Sequence, residues 1–288
     1  IDSPALVNPT INGVAQSGYP GSKNHIINGN FDVWRRGTSQ TSSGYGSDDR
    51  WSNNNAFSTK VHSQIACTDT ERALFNAAYF SRTVVTSVIG ASNNVTKYQK
   101  IEDVTRLAGK TFTLSFWAKA DSTKNISIET AQIFGTGGSP SSLITGIGSQ
   151  KLTLTPTWEK KTVSITMPSL VGKTLGTDGA HTSHTTIYFW MDAGSNFNTR
   201  TVSLGQQSGT FDIAQVQLEE GSVATPFEQR PIGLELSLCQ RYYYNVLSYR
   251  NVARVNTVTT FYGSKMIFPS TMRVAPTIAY TNKIVLGG

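Results

Sequence analysis

Apolar and polar residues alternate in short runs along most of this chain. KTFTLSFWAK (110–119) places Phe112, Leu114 and Phe116 on one face, with Thr111, Thr113, Ser115, Trp117 and Lys119 on the other. KTVSITM (161–167) turns Val163, Ile165 and Met167 inward. TTIYFWMD (185–192) puts Ile187, Phe189 and Met191 on one face and Tyr188 and Trp190 on the opposite one. KNISIET, QKLTLTP and GTFDIAQVQL continue the series. A period of two over about four to eight residues, broken by Gly, Pro and Ser clusters, predicts an all-β chain built as an antiparallel β-sandwich.

Helical signals are few. YQKIEDVTRLAG (98–109) reads as a short helical turn ended by Gly109. RPIGLELSLCQRYYY (230–244) reads as a helix, with Pro231 in its first turn and leucines at 234, 236 and 238. Beyond it, KMIFP and TIAY return to strand, separated by Pro-containing turns. Pro4, Pro9, Gly13, Gly18, Pro20 and Gly21 mark residues 1–24 as an extended arm or linker. Three units result: the arm (1–24), a sandwich (25–230) and a small C-terminal β unit (231–288). The last, at about 55 residues, is small for a core of its own and is expected to pack on the sandwich or on neighbouring subunits. The chain opens IDSPALVNPT without Met and stops at NKIVLGG, as expected of a piece of a longer protein.

Composition narrows the function classes. Charged residues are 15% of the chain, against about a quarter in a typical soluble domain; Gly, Ser, Thr and Asn fill the difference, which suits strands and tight turns. The formal charge is +7, but the basic residues are scattered, without the stripe that marks a nucleic-acid binder. The charge does favour approach to an anionic surface. No apolar stretch nears the ~18 residues of a membrane span, so membrane insertion is not expected. Cys67 and Cys239 lie far apart, without metal-ligand spacing, and read as two buried thiols.

Catalytic motifs are incomplete. AGKT (108–111) and VGKT (171–174) end like phosphate loops, but Val104 and Met167 stand where the motif needs its first Gly. FGTGGSPSS (134–142) is Gly-rich without a strand-to-helix setting and reads as a loop. No G-x-S-x-G elbow is present, and HTSH offers only two His, at 181 and 184. Asp48, Asp49, Glu129 and Asp192 could supply a glycosidase pair, but nothing in the sequence brings two of them together. The reading is of a chain that is not an enzyme.

Aromatics carry the positive signal. Trp117, Tyr188 and Trp190 fall opposite the aliphatic faces of their strands, where a flat ring flanked by amides and hydroxyls suits a pyranose. Tyr45 and Trp51 are weaker candidates for the same role. The alternative is a second buried interface, against the other sheet or another subunit.

In order along the chain stand INGNFDVWRRGTS, DDRW, LAGKTFTLSFWAKA, FGTGGSPSS, LTPTWEKKTVSITMPS, TIYFWMDAG and VQLEEGSVATPFEQRPIGLELSLCQRYY. These blocks, over about 27–244, resemble bacteriophage and prophage tail-fibre or appendage proteins that contain a carbohydrate-binding-module-like jelly roll. Phe268 to Thr277, with its FP…MR…APT pattern, is similar to a small β unit that follows in the same proteins. The resemblance implies a jelly roll, incorporation into a virion as a tail or head appendage, and often a homotrimer. With the outward aromatics, the expectation is of a module that contributes to recognition of bacterial surface glycan, and the extended arm is expected to dock on other virion proteins. Two alternatives stay open: a purely architectural fibre module, and an envelope polysaccharide depolymerase. Modules similar to this one also hold structural calcium between the first-strand block and an acidic residue of the last strand. The matching positions are Asn28, Gly29, Asn30, Asp32 and Asp212, whose oxygens are of the type that Ca²⁺ takes. NGNFDVWRR (28–36) is expected to be the first sandwich strand with its preceding turn, Phe31 and Val33 sharing one face and Asp32 and Trp34 the other.

Overall fold

The alternation seen in the sequence resolves into two antiparallel sheets. The computed structural model describes residues 23–178, 182–245 and 268–278, together with four short strands outside them. Two of these pair near the N-terminus, β1 (Thr10–Ile11) with β2 (Val14–Ala15). Then come β3 (Ser39–Gln40), β4 (Trp51–Ala56), β5 (Thr59–Ala66), helix α1 (Asp69–Phe75), β6 (Tyr79–Thr86) and β7 (Asn94–Glu102). They are followed by β8 (Thr111–Ala120), β9 (Lys124–Ile133), β10 (Ile144–Leu154), β11 (Glu159–Thr166) and β12 (His184–Ala193). The chain continues through α2 (Asn198–Thr201), β13 (Gly209–Glu220), α3 (Ile232–Gln240) and the pair β14 (Arg254–Thr257) and β15 (Thr260–Tyr262).

One sheet has five strands in the order β10-β9-β12-β7-β4, and the other has six, β11-β8-β13-β6-β5-β3. The strands named from the sequence fall in these sheets with the expected faces inward. Phe112, Leu114 and Phe116 of β8 meet Ile187, Phe189 and Met191 of β12 in one buried cluster, joined by Val163, Ile165 and Met167. Phe116 and Phe189 touch edge to face at 5.1 Å across the sandwich. Burial on this scale supplies the main favourable term of folding.

NGNFDVWRR is not a strand. The alternation holds, since Phe31 and Val33 are buried while Asp32 and Trp34 are half-buried, but the segment is turn and irregular chain. Its polar groups are met by side chains instead of a ladder: the Asn28 amide donates to Val33 and Asp49 carbonyls (2.8 and 3.0 Å) and accepts from Val33 N–H (3.0 Å). Residues 24–29 lie along β13 where that strand bulges between Ala214 and Gln217. Val216 N–H donates to Gly29 C=O (2.8 Å). A Cβ on Gly29 would stand 2.1 Å from the Val216 oxygen, so only glycine permits this approach.

Residues 98–102 belong to β7, not to a helix, because Gln99 and Ile101 are buried between the more exposed Tyr98, Lys100 and Glu102. Only a 3-10 turn at Val104–Arg106 follows. The helix predicted over 230–244 forms as α3, after Pro231. Its Glu235 carboxylate accepts from Asn28 N–H and pairs with Arg230 (3.1 Å), tying α3 to the start of the sandwich. Residues 268–278 carry no strand, so the described parts of KMIFP and TIAY do not pair; Pro269 and Pro276 lack the N–H a ladder needs. The rest of those two segments, the greater part of the arm and His181 lie outside the described residues.

Helix α1 has no counterpart in the expectations. Thr68 and Glu71 form a capping box at its start, and Asn76 closes it in the left-handed conformation. It covers the outer face of the six-stranded sheet, where Phe75, Phe80, Ala214 and Cys67 form a second small core. Cys67 and Cys239 are both free and buried.

Candidate functional site

The five glycan candidates are not brought together. Trp117 lies on the outer face of the six-stranded sheet, packed into the small core below α1 at 6.2 Å from the Phe75 ring. Trp158 completes that cover, its indole N–H donating to Glu71 (2.7 Å). Trp51 is 0% exposed, stacked on Phe31 at 5.5 Å and meeting Phe189 at 6.0 Å inside the sandwich. Trp51 offers no face to a ligand, and Trp117 is half-buried against the small core below α1, a helix invisible to strand alternation. Trp51 begins its strand on the inward phase. Tyr45 is exposed at the sandwich rim, 5.7 Å from the Arg36 guanidinium.

Tyr188 and Trp190 lie on the opposite side of the molecule, on the outer face of the five-stranded sheet. β12 pairs with β7 so that Tyr188 stands opposite Tyr98, Thr186 opposite Lys100 and His184 opposite Glu102. The rings run in a row: Tyr98 to Tyr188 at 5.1 Å, Tyr188 to Trp190 at 6.0 Å, and Trp190 to Phe197 at 5.0 Å. Tyr98 and Tyr188 are half-buried, leaving ring surface to solvent, whereas Trp190 is 3% exposed. Burial raises the Tyr188 phenol above its ordinary value, so it is a neutral donor at physiological pH.

Fixed charges hold this row in place. Glu129, directly across from Tyr188 on β9, accepts both guanidinium contacts of Arg200 (2.7 and 2.9 Å) and the Trp190 indole N–H (2.9 Å). Gly146 N–H adds a fourth donor (2.7 Å). Arg200 in turn lies over Trp190 at 4.9 Å and Tyr188 at 5.5 Å. Asn54 of β4 donates to the Tyr98 hydroxyl (3.3 Å). Tyr98, Arg200 and Asn54 were not singled out from the sequence, and Glu129 was considered there only as a glycosidase carboxylate. The alternation of NVTKYQKIE could have given Tyr98; nothing local marks Arg200, which reaches the row from α2.

The carboxylates considered for glycosidic chemistry are engaged elsewhere. Glu129 is saturated as described. Asp192 is 0% exposed and accepts from Ser58, Ser87 and Gln207 N–H (2.7, 2.8 and 2.8 Å). Asp48, also 0% exposed, sits between the sheets with Lys97 and His62. Asp49 accepts from Arg35 N–H (2.7 Å) and faces Arg36 at 3.6 Å. Of the four, Glu129 lies on the aromatic face, but it is 0% exposed there.

At the calcium positions most oxygens already have protein partners, although Asn30 Oδ1 is buried without one. Asn28 spends its amide on Val33 and Asp49, and Asp212 is clamped by Arg82 through two contacts of 2.7 and 2.8 Å. Gly29 gives its carbonyl to Val216, and Asp32 accepts from Asn30 (3.0 Å). Among the described residues no three His, Cys, Asp or Glu side chains gather as a metal site.

No protein-family model matches the chain, and no curated protein matches it. Solved structures with a similar chain course exist. A CBM4 structure is 16% identical over 67% of this chain and 98% of its own, with a TM-score of 0.37. A family 11 carbohydrate-binding module from Clostridium thermocellum, in complex with a β-1,3-1,4-mixed-linked tetrasaccharide, is 10% identical over 65% and 98%, with a TM-score of 0.39. The enzymatically active domain of bacteriophage CBA120 tailspike protein 4 is 14% identical over 69% of this chain and 22% of that one, with a TM-score of 0.37. The sandwich assignment itself stands on this chain's own strand pairing.

Proposed function

We propose that this chain is a glycan-binding sandwich module of a bacteriophage tail fibre or similar virion appendage, acting by recognition and not by catalysis. The observation that carries the binding half is the half-buried pair Tyr98 and Tyr188 on the outer face of the five-stranded sheet, flanked by Trp190, which Phe197 and Arg200 cover, and held in place by the Arg200–Glu129 pair. Such a row presents apolar ring faces to sugar C–H groups, while the Tyr98 and Tyr188 hydroxyls and Asn54 meet sugar hydroxyls. Bracing by a bidentate Arg–carboxylate pair keeps the rings in place before the ligand arrives, which lowers the ordering cost of binding. The virion half rests on the resemblance of the sequence blocks. With it go assembly as a homotrimer and docking of residues 1–24 on other virion proteins.

The test is adsorption of the labelled chain to host cells with sugar competitors, beside a Tyr188→Ala variant. Sugar-displaceable binding that falls about tenfold or more in the variant, with an unchanged melting curve, is expected, since one stacking contact carries roughly 1–3 kcal/mol. A folded chain that does not adsorb, and whose Tyr188→Ala variant loses its oligomeric state in sedimentation, would instead make the face a subunit interface.

A further inference from the structure

At one end of the aromatic row lies a cavity of about 330 Å³, at the lower end of the size range of ligand sites. Its walls are the ends of β7 and β12, the loop before β4, and residues just after α3. Four cations line it, Arg36, Arg50, Lys100 and Arg273, against two carboxylates, Asp49 and Glu102, an excess of two positive charges. The carboxylates are already answered. Asp49 faces Arg36 at 3.6 Å, and Glu102 pairs with Arg273 at 3.0 Å and Arg241 at 3.3 Å.

Arg50 and Lys100 are not answered. Among the described residues neither makes an ion pair. Arg50 is 7% exposed, stacked on Tyr242 at 3.4 Å, and bonded through one terminal nitrogen to the Lys100 carbonyl. Its Nε is buried without a hydrogen-bond partner. A guanidinium held this far from water with an idle donor costs stability unless an anionic oxygen meets it. Arg36 is stacked in the same way on Tyr243 at 3.8 Å, so both guanidinium planes are fixed.

Register joins this cavity to the aromatic face. Lys100 follows Tyr98 by two residues on the outward side of β7, about 7 Å along the strand, and His184 precedes Tyr188 by four on β12. A sugar ring on Tyr98 and Tyr188 therefore directs its own substituent, or that of the next residue, toward Lys100 and Arg50. We infer that the glycan bound by this face is acidic, and that its anionic group, a carboxylate or a phosphate, enters the cavity to meet Lys100 and Arg50. This rests on the glycan-binding reading above and adds the class of ligand.

The experiment uses the full chain in titration calorimetry. The ligands are uronate-containing oligosaccharides, their carboxyl-reduced counterparts of identical linkage, and phosphate-substituted oligosaccharides with their dephosphorylated forms. Wild type is expected to bind one acidic series about tenfold or more tighter than its neutral partner, as befits a charge-assisted contact. The series that binds identifies the source of the anion. In Lys100→Gln that ratio collapses toward unity, and Arg50→Lys, which keeps the charge and the stem but loses the planar fork, reduces it in part. Tyr188→Ala weakens acidic and neutral ligands alike. Equal binding of acidic and neutral partners by wild type overturns the acidic assignment and leaves glycan binding standing. An acid preference that survives unchanged in both cavity variants also overturns it. Absence of binding to every series sinks both readings.

Discussion

Single residues with the same local pattern have different fates here, and Trp117 and Tyr188 show why. Both stand opposite an aliphatic face in a strand of alternating residues. Both are half-buried, but Trp117 packs into the small apolar core below α1, while Tyr188 lies beside Tyr98 and Arg200. Trp117→Ala is therefore expected to cost about 3 kcal/mol of stability, the scale of a large-to-small change in a packed cluster. Glycan affinity should be unchanged. Denaturant unfolding and calorimetry on one sample check both halves; a variant with native stability and lost binding would return Trp117 to the site.

At the scale of elements, α1 depends on its start. The capping box satisfies two N–H groups that the first turn leaves open. Glu71 also holds Lys119 (3.0 Å) and Trp158. Against burial, hydrogen bonds from Trp158, Thr68 and Lys119 lower its carboxyl to about 2. Thr68→Ala removes the cap alone and should destabilise the chain by about 1 kcal/mol, read as a lower melting temperature with the sheet signal intact. The 24–36 segment gives a second prediction. Because its Asn28 and Gly29 groups, and Asp212 of β13, are spent on protein partners, excess chelator should move the melting temperature by less than about 1 °C, since only an ion bound to the native state would add stability. A fall of several degrees that calcium restores would overturn this.

The whole molecule carries a polar cluster between its sheets. Lys97 projects inward from β7 to Asp48, with Asn53 (3.0 Å) as a further acceptor, and His62 meets Asp48 at 3.1 Å. All four are buried. Burial, and then the Lys97 charge, push the His62 imidazole down to about 4. Its native value thus lies below the unfolded one of 6.5. Between those two values the unfolded chain binds the proton and the native chain does not, so stability rises with pH across that window. Acidification from 6.5 toward 4 should remove up to about 3 kcal/mol from this residue. Asp48, held below the usual carboxylate range by Lys97 and His62 against its own desolvation, adds a loss of the same sign at lower pH. Urea midpoints measured across this range in wild type and His62→Gln separate the terms; parallel curves would show that His62 does not contribute.

Period-two alternation was enough to assign the sandwich class and the inward residues of β8, β11 and β12, and Pro231 with the leucines after it marked the helix. Side-chain period and burial are coupled locally in a strand, so the apolar face can be read from order alone. What the sequence left open was decided by contacts between distant segments. What an outward ring meets depends on what folds beside it: α1 and its small apolar core at Trp117, Tyr98 and Arg200 of α2 at Tyr188. Whether a carboxylate can hold a metal or a proton for chemistry depends on which cation reaches it first: Arg82 for Asp212, Arg200 for Glu129, Lys97 for Asp48. The cavity of Arg50 and Lys100 is of the same kind, because it exists only where β7, β12 and the chain after α3 converge. Strand order and register, set by pairings between segments distant in sequence such as β7 with β12, placed a cationic end on an aromatic face; local pattern could not, because it records what each strand buries and not which strand lies beside it.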